Sequence, residues 1–244
     1  MPISIVGKTD TGKKRSAKAN EDSYFAAKIN GVYLAVVCDG MGGAKGGNIA
    51  SSLAVKSFTD TVTELLPDSS SYMDILFAAV AKANEKVFMA AKEDKALAGM
   101  GTTMVACIFD GGEYCAVNVG DSRMYIINDI NYSIAQITKD HSLVQELIDS
   151  GAMTKEQAEK SPNKNIITRV LGGDDIVNAD FYKGKYESGI ILLCSDGLYN
   201  YVAESDIIKY ISQYDSVENC VAELIVKANK NGGGDNITAV IIKP

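Results

Sequence analysis

The chain has 244 residues, 46% hydrophobic and 23% charged, with a formal net charge of −7. The acidic balance and the lack of a basic stripe argue against nucleic acid as a partner. A single histidine argues against zinc sites built on His pairs, and no apolar run approaches the roughly 18 residues that suggest a membrane span.

The chain opens on an apolar run, expected as a strand over 3–7, which leads into GKTDTGKK at 7–14. That stretch nearly spells a nucleotide-binding P-loop, but Lys14 stands where a Mg²⁺-binding Ser or Thr is required. No helix follows to cradle phosphates, so a Gly-containing turn between two strands is the better reading. Strands are expected at 23–28 and 32–38, followed by helices at 48–66 and 72–92. Ile49, Leu53, Val62, Leu65 and Leu66 mark the apolar stripe of the first helix, and Ile75, Ala79, Ala83 and Val87 that of the second. Four more strands fit 103–109, 113–119, 122–127 and 132–137. Short helices fit 142–149 and 154–160, the second opened by a capping box of Thr154 and Gln157. Strands at 177–182 and 190–194, helices at 204–213 and 216–230, and a last strand at 237–242 complete the chain.

Strands do not alternate with single helices, which disfavours a doubly wound parallel sheet. A layered α+β arrangement of antiparallel sheets flanked by helix pairs fits better. With 4 prolines and no low-complexity tract, residues 1–244 are expected to form one domain. The five cysteines (Cys38, Cys107, Cys115, Cys194 and Cys220) include no CxxC and sit mostly in apolar runs. They fit small buried hydrophobes in a reducing compartment. Met1 is followed by no signal-peptide pattern, so a cytoplasmic location is expected.

The aspartates fall in a pattern. Val36-Val37-Cys38 ends in Asp39-Gly40, the run Ile190 to Ser195 ends in Asp196-Gly197, and three glycines lead to Asp235-Asn236 before the last strand. Val119-Gly120 leads to Asp121, and Glu21-Asp22 precedes the second strand. Singly, each Asp-Gly is better explained as a turn. Five recurrences at the ends of apolar strands point instead to side chains aimed into one cleft. Two carboxylates about 5 Å apart repel by roughly 3 kcal/mol at an effective dielectric of about 20, so such a cluster needs cations. Oxygen-only ligands favour Mg²⁺ or Mn²⁺. Asp39 is the natural bridging ligand, and Gly40 lets its carbonyl approach an ion closely.

In this order the stations resemble the metal-dependent serine/threonine protein phosphatases of type 2C, the PPM family, in its compact bacterial form. The likeness runs through NED at 20–22, DGMGG at 39–43, GMGTT at 99–103, GDSR at 120–123, TKDHS at 138–142, ITRVLGG at 167–173, LLCSDGL at 192–198 and GGGDNITAV at 232–240. It implies a four-layer αββα sandwich of two antiparallel β-sheets flanked by helix pairs, with a two-metal centre at one end. Asp39 would bridge both ions, the Gly40 carbonyl would bind the first, and Asp196 and Asp235 the second. Glu21 and Asp22 would act mostly through metal-bound waters. Asp121 with Asp196 matches a third, weaker metal site of the bacterial group, and Asn236 would be a polar partner or a turn residue. A metal-bridging hydroxide would hydrolyse phosphoserine or phosphothreonine without a phosphoenzyme. Phosphorylated proteins are the implied substrates, a cognate Ser/Thr kinase the implied partner, and a monomer the expected state.

Three departures bear on this likeness. The family's phosphate-binding Arg, five residues before the Asp of NED, is replaced here by Ala17. A two-residue insertion would leave Arg15 on the phosphate, with Lys18 the alternative as a point charge. Met41 follows Asp-Gly where some members have a His that could protonate the leaving oxygen. His141 is a candidate acid by default, against a structural hydrogen-bonding role. The polar segment from about 142 to 168 matches the flap that varies across the bacterial group. Two other readings compete: a nucleotide-binding protein using Gly7 to Lys14, and a catalytically inactive phosphatase fold serving as a binding module.

Overall fold

The computed structural model describes residues 3–69, 71–128, 130–214 and 216–244. In chain order its strands are β1 (Ser4–Asp10), β2 (Asp22–Ile29), β3 (Val32–Met41), β4 (Gly101–Thr102), β5 (Met104–Phe109), β6 (Glu113–Val119), β7 (Arg123–Asn128), β8 (Ser133–Gln136), β9 (Asp180–Lys185), β10 (Ile190–Cys194) and β11 (Ile237–Lys243). Its helices are α1 (Gly43–Leu65), α2 (Tyr72–Glu93), α3 (Leu143–Asp149), α4 (Lys155–Glu159), α5 (Asp196–Tyr199), α6 (Glu204–Gln213) and α7 (Val217–Lys230).

Two antiparallel sheets result, one in the order β1-β11-β10-β7-β8 and the other β2-β3-β5-β6-β9, with β4 paired to β3. Alternate residues of each central strand face different layers. Val36 and Val117 pack under α1 and α2 with Phe58 and Leu76, while Val37, Val105, Leu193 and Val240 meet between the sheets. On the far side Leu192 and Ile241 pack with Val221 and Leu224 of α7. Strands covered on both faces need apolar residues at every position, which is why they appear as unbroken runs and not as alternation. Each fully buried Val, Leu or Ile contributes about 1.5–3 kcal/mol. The four-layer α+β sandwich is therefore present as expected.

The differences lie at the ends of elements. The strand expected at 177–182 is β9 at Asp180–Lys185, where Phe181 and Lys183 pair with Val117 and Cys115. The first long helix starts at Gly43, not at residue 48, because the glycines of the DGMGG run let it leave β3 at once. Its Gly42 has φ +124°, a conformation that L side chains rarely adopt. The capping box of Thr154 and Gln157 is formed as expected. The single turn α5, which begins on Asp196, has no periodic signature and was not expected. Among the described residues no helix is long and apolar enough to cross a membrane.

Candidate active site

Pairing of β2 with β3 sets Asp22 directly opposite Asp39. The Asp39 backbone is then locked: its amide donates to Thr103 Oγ1 at 2.9 Å, and its carbonyl accepts the Thr103 amide at 2.8 Å and Thr102 Oγ1 at 2.9 Å. Asp22 is buried and reaches across to the other sheet, where its Oδ2 accepts Ser195 Oγ at 2.7 Å and Thr238 Oγ1 at 2.6 Å. Those two hydroxyls flank Asp196 and Asp235 in sequence, so Asp22 ties the ends of β10 and β11 to β2. Gly197 completes the join, since a Cβ there would overlap the Asn236 carbonyl. Asp121 follows Gly120 in the β6–β7 turn, where its carbonyl accepts Tyr199 Oη at 3.1 Å. The Arg123 guanidinium lies 3.6 Å above the Tyr199 ring and forks onto Asp140.

Electrostatics marks the same four carboxyls as one group. Burial pushes Asp22 up to about 7, partly offset by its Thr238 and Ser195 hydrogen bonds. Asp121 also rises to about 7, through burial first and then the Asp196 and Asp140 charges. Burial lifts Asp39 well above the usual carboxylate range, and Asp22, Asp196 and Asp121 add to it. Asp196 is raised by burial and held back by a hydrogen bond shared with Asp39 and by the Arg15 charge. At neutral pH such a cluster keeps protons unless cations replace them.

Asp235 and Glu21 join the group through Arg15, whose Nη1 bonds Asp235 Oδ1 and whose Nη2 bonds Glu21 Oε2 at 2.7 Å. Asn236 braces the turn: its Oδ1 accepts the Glu21 amide at 2.8 Å and its Nδ2 donates to the Thr11 carbonyl at 2.9 Å. Lys18 is exposed, and its amide donates to the Arg15 carbonyl at 2.7 Å. The stretch Gly7–Lys14 forms no phosphate cradle. It is strand β1 and a turn, with Gly12 at φ +80° beside the Asp235 carbonyl, and it delivers Arg15 to the carboxylates. His141 is buried with both ring nitrogens engaged, by the Gly120 amide and by Asp180.

The donor set suits a hard divalent ion. Asp22 Oδ1 and Asp196 Oδ1 are buried without any hydrogen-bond partner, a costly state for carboxylate oxygens unless a cation meets them. A Cβ on Gly47 would lie 2.5 Å from Glu21 Oε1 and 2.8 Å from the Gly40 carbonyl oxygen, so the missing side chain leaves that oxygen accessible. Among the described residues no group of three or more Asp, Glu, His or Cys side chains is arranged to hold a metal ion; the Arg15 and Arg123 guanidiniums supply positive charge beside these carboxyls. Beside Asp121 opens a cavity of about 580 Å³, bounded by Arg123 and Tyr199 on one wall and by Lys155, Glu159 and Lys164 of the 142–168 segment on the other. The bracing residues Ser195, Thr238, Thr103 and Tyr199 escaped sequence reasoning. Their one signal was a hydroxyl beside an acidic station or inside an otherwise apolar run.

This fold with these acidic strand ends defines a protein phosphatase of the 2C type. The chain belongs to the protein phosphatase 2C family, whose profile matches residues 10–231. It is 35% identical over 239 residues to the serine/threonine phosphatase stp of Listeria monocytogenes, across 97% of this chain and 94% of that one. It is 36% identical over 253 residues to the protein phosphatase PhpP of Streptococcus pneumoniae, across 99% and 97%. The Mycobacterium tuberculosis serine/threonine phosphatase PstP/Ppp superposes with a TM-score of 0.89 at 33% identity, covering 99% of this chain and 98% of that one. The catalytic domain of PstP in complex with 2 manganese ions superposes with a TM-score of 0.85 at 32% identity, covering 99% and 97%. By class, then, this is a serine/threonine phosphoprotein phosphatase.

Proposed function

We propose that the chain hydrolyses phosphoserine and phosphothreonine in proteins at a centre of two Mn²⁺ or Mg²⁺ ions, by direct attack of water and without a phosphoenzyme. The observation that carries this is the convergence of Asp22, Asp39, Asp121 and Asp196, with Asp22 set opposite Asp39 and two buried carboxyl oxygens left without hydrogen-bond partners, so that each carboxyl is raised above the usual range. Asp39, the Gly40 carbonyl, Asp196 and Asp235 would hold the two ions, Glu21 and Asp22 would order the surrounding waters, and Asp121 with Asp196 would offer a third, weaker site. Bound there, the ions would supply an acidified water and positive charge facing the phosphoryl oxygens.

The protein's own groups divide the remaining work. Arg15 has two guanidinium nitrogens already aimed at the acidic rim, a fork suited to two phosphoryl oxygens. No cysteine competes as a nucleophile: all five are buried, and burial lifts the thiols of Cys38 and Cys194, nearest the carboxylates, further from ionisation. Residues 1–244 act as one catalytic domain in this reading, with 142–168 as a flap over the cavity. A cognate kinase, a monomeric state and a cytoplasmic location belong to the same proposal.

The test is phosphate release from p-nitrophenyl phosphate and from a phosphothreonine peptide, with Mn²⁺, with Mg²⁺ and with chelator. Activity should require the metal and fall by on the order of 10³-fold in Asp39→Asn. Turnover that ignores chelator would sink the two-ion reading, and a folded wild type inert with every metal would favour the binding-module alternative.

A further inference from the structure

The flap has almost no core of its own. Helix α3 buries no residue and α4 buries only Ala158. Its placement over the cavity must therefore be fixed largely at its root. There the two ends of the flap pair with each other, Ser142 bridging Ile167 and the Leu143 amide donating to the Ile166 carbonyl at 2.9 Å.

One residue binds that root to everything around it. The His141 amide donates to the Gly120 carbonyl at 2.9 Å, and the Gly120 amide donates back to His141 Nδ1 at 3.1 Å. The His141 carbonyl accepts the Thr168 amide at 2.9 Å, which holds the far end of the flap. Because Nδ1 accepts, the ring proton sits on Nε2, which faces Asp180 Oδ2 at 3.3 Å. Arg169 Nη1 stands beside both groups, at 2.9 Å from Asp180 Oδ1 and 3.2 Å from His141 Nε2. Gly120 itself has little room to give: its φ is +99°, and a Cβ there would lie 2.6 Å from Thr103 Cγ2. Thr103 in turn locks the Asp39 backbone.

We propose that His141 is a positioning residue of the phosphatase reaction, fixing the flap relative to the Gly120–Asp121 turn and so to the carboxylate centre. This rests on the phosphatase reading for its kinetic arm only. A histidine serving stability alone would lower the melting temperature and leave substrate binding untouched. A positioning histidine sets how a phosphopeptide meets flap and centre together, and a small aryl phosphate feels that much less.

Two replacements separate its ring nitrogens. His141→Asn keeps an acceptor near the Nδ1 position for the Gly120 amide, and His141→Gln loses that bond while reaching toward Asp180. Limited trypsin digestion reports the flap directly, because Lys155, Lys160 and Lys164 are exposed within it. For His141→Gln the expected result is cleavage at these lysines at least about tenfold faster. The KM for a phosphothreonine peptide should rise about tenfold, with kcat within about threefold and the p-nitrophenyl phosphate KM rising less than about threefold. His141→Asn, which regains the Gly120 bond and not the Asp180 contact, should fall between His141→Gln and wild type on both readouts. Unchanged digestion, equal KM losses on the two substrates, or an Asn variant as impaired as Gln would each overturn the proposal. Should His141→Gln fail to fold, Asp180→Asn alters the partner of Nε2 at a partly exposed position; faster flap cleavage is then expected, and none would refute the assignment. Because digestion needs no turnover, it tests the hinge even if the wild type proves inactive.

Discussion

The Arg15 guanidinium lies between two carboxylates that enter from opposite sheets, Glu21 just before β2 and Asp235 just before β11. Lys18, three positions on, is exposed and forms no ion pair among the described residues. In sequence Arg15 was the first candidate for the phosphate and Lys18 the alternative, because an insertion moved the register and a charge carries no address. The turn closed by the Lys14 amide on the Gly233 carbonyl, at 2.8 Å, directs Arg15 toward the carboxylates and favours it over Lys18. Losing a forked, charge-assisted pair costs about 1.5–3 kcal/mol, or roughly 10- to 100-fold in affinity. Arg15→Met should therefore raise the KM for a phosphothreonine peptide by about that factor, and Arg15→Lys by less, since an ammonium keeps the charge without the fork. Lys18→Met should stay within about twofold. Steady-state kinetics of the three variants decides it, and the reverse ranking would move the phosphate to Lys18.

At the scale of elements, most of the sandwich was legible, because strands buried on both faces must be apolar at nearly every position and leave long Val-, Ile- and Leu-rich runs. Elements held by a few close contacts were not legible. The turn α5 is four residues long, too short for any period, and exists because Gly197 lets its backbone press against Asn236 at the start of β11. That contact sets the spacing between Asp196 and Asp235. The same reasoning explains the misplaced β9: Val177 and Ala179 resemble strand residues but pack beside α2 before pairing begins. Gly197→Ala would push its new methyl into a backbone carbonyl that cannot rotate away. Overpacking of this kind costs about 1–3 kcal/mol, which in a domain of this size lowers the melting temperature by roughly 3–10 °C. Mn²⁺ should then recover less of the loss than it gives the wild type, because Asp196 and Asp235, the proposed ligands, would be splayed. A melting curve with and without Mn²⁺ that matches wild type in both states would show that α5 has room to shift.

Across the whole molecule the acidic centre acts as a stability term whose sign depends on the cation. Without metal, Asp22 and Asp121 ionise at about 7 in the folded state against 3.8 for an ordinary carboxyl, both chiefly through burial. Between those values the folded chain binds more protons than the unfolded one, so stability falls as pH rises through that window and levels off above about 7. One group acts oppositely inside this window: His141 is lowered from 6.5, chiefly by burial, so it adds stability as pH rises toward 6.5. Two buried carboxyls outweigh it. In chelator the melting temperature should fall by on the order of 10 °C between about pH 5 and 7.5. Saturating Mn²⁺ exchanges the retained protons for ions, so the same scan should become flat or rise with pH, and the gain from metal should be largest at the alkaline end. Asp22→Asn isolates the cause, since a neutral amide of the same shape keeps an acceptor for Ser195 and Thr238. It should remove about half of the metal-free slope, Asp121 supplying the rest, and raise the melting temperature at pH 7.5 in chelator, even as it weakens the centre for catalysis. Metal-free stability that climbs steadily from pH 5 to 7.5 would mean that these carboxyls ionise freely, and that the sheet ends hold them farther apart than the Asp22 bonds to Ser195 and Thr238 and the hydrogen bond between Asp39 and Asp196 require.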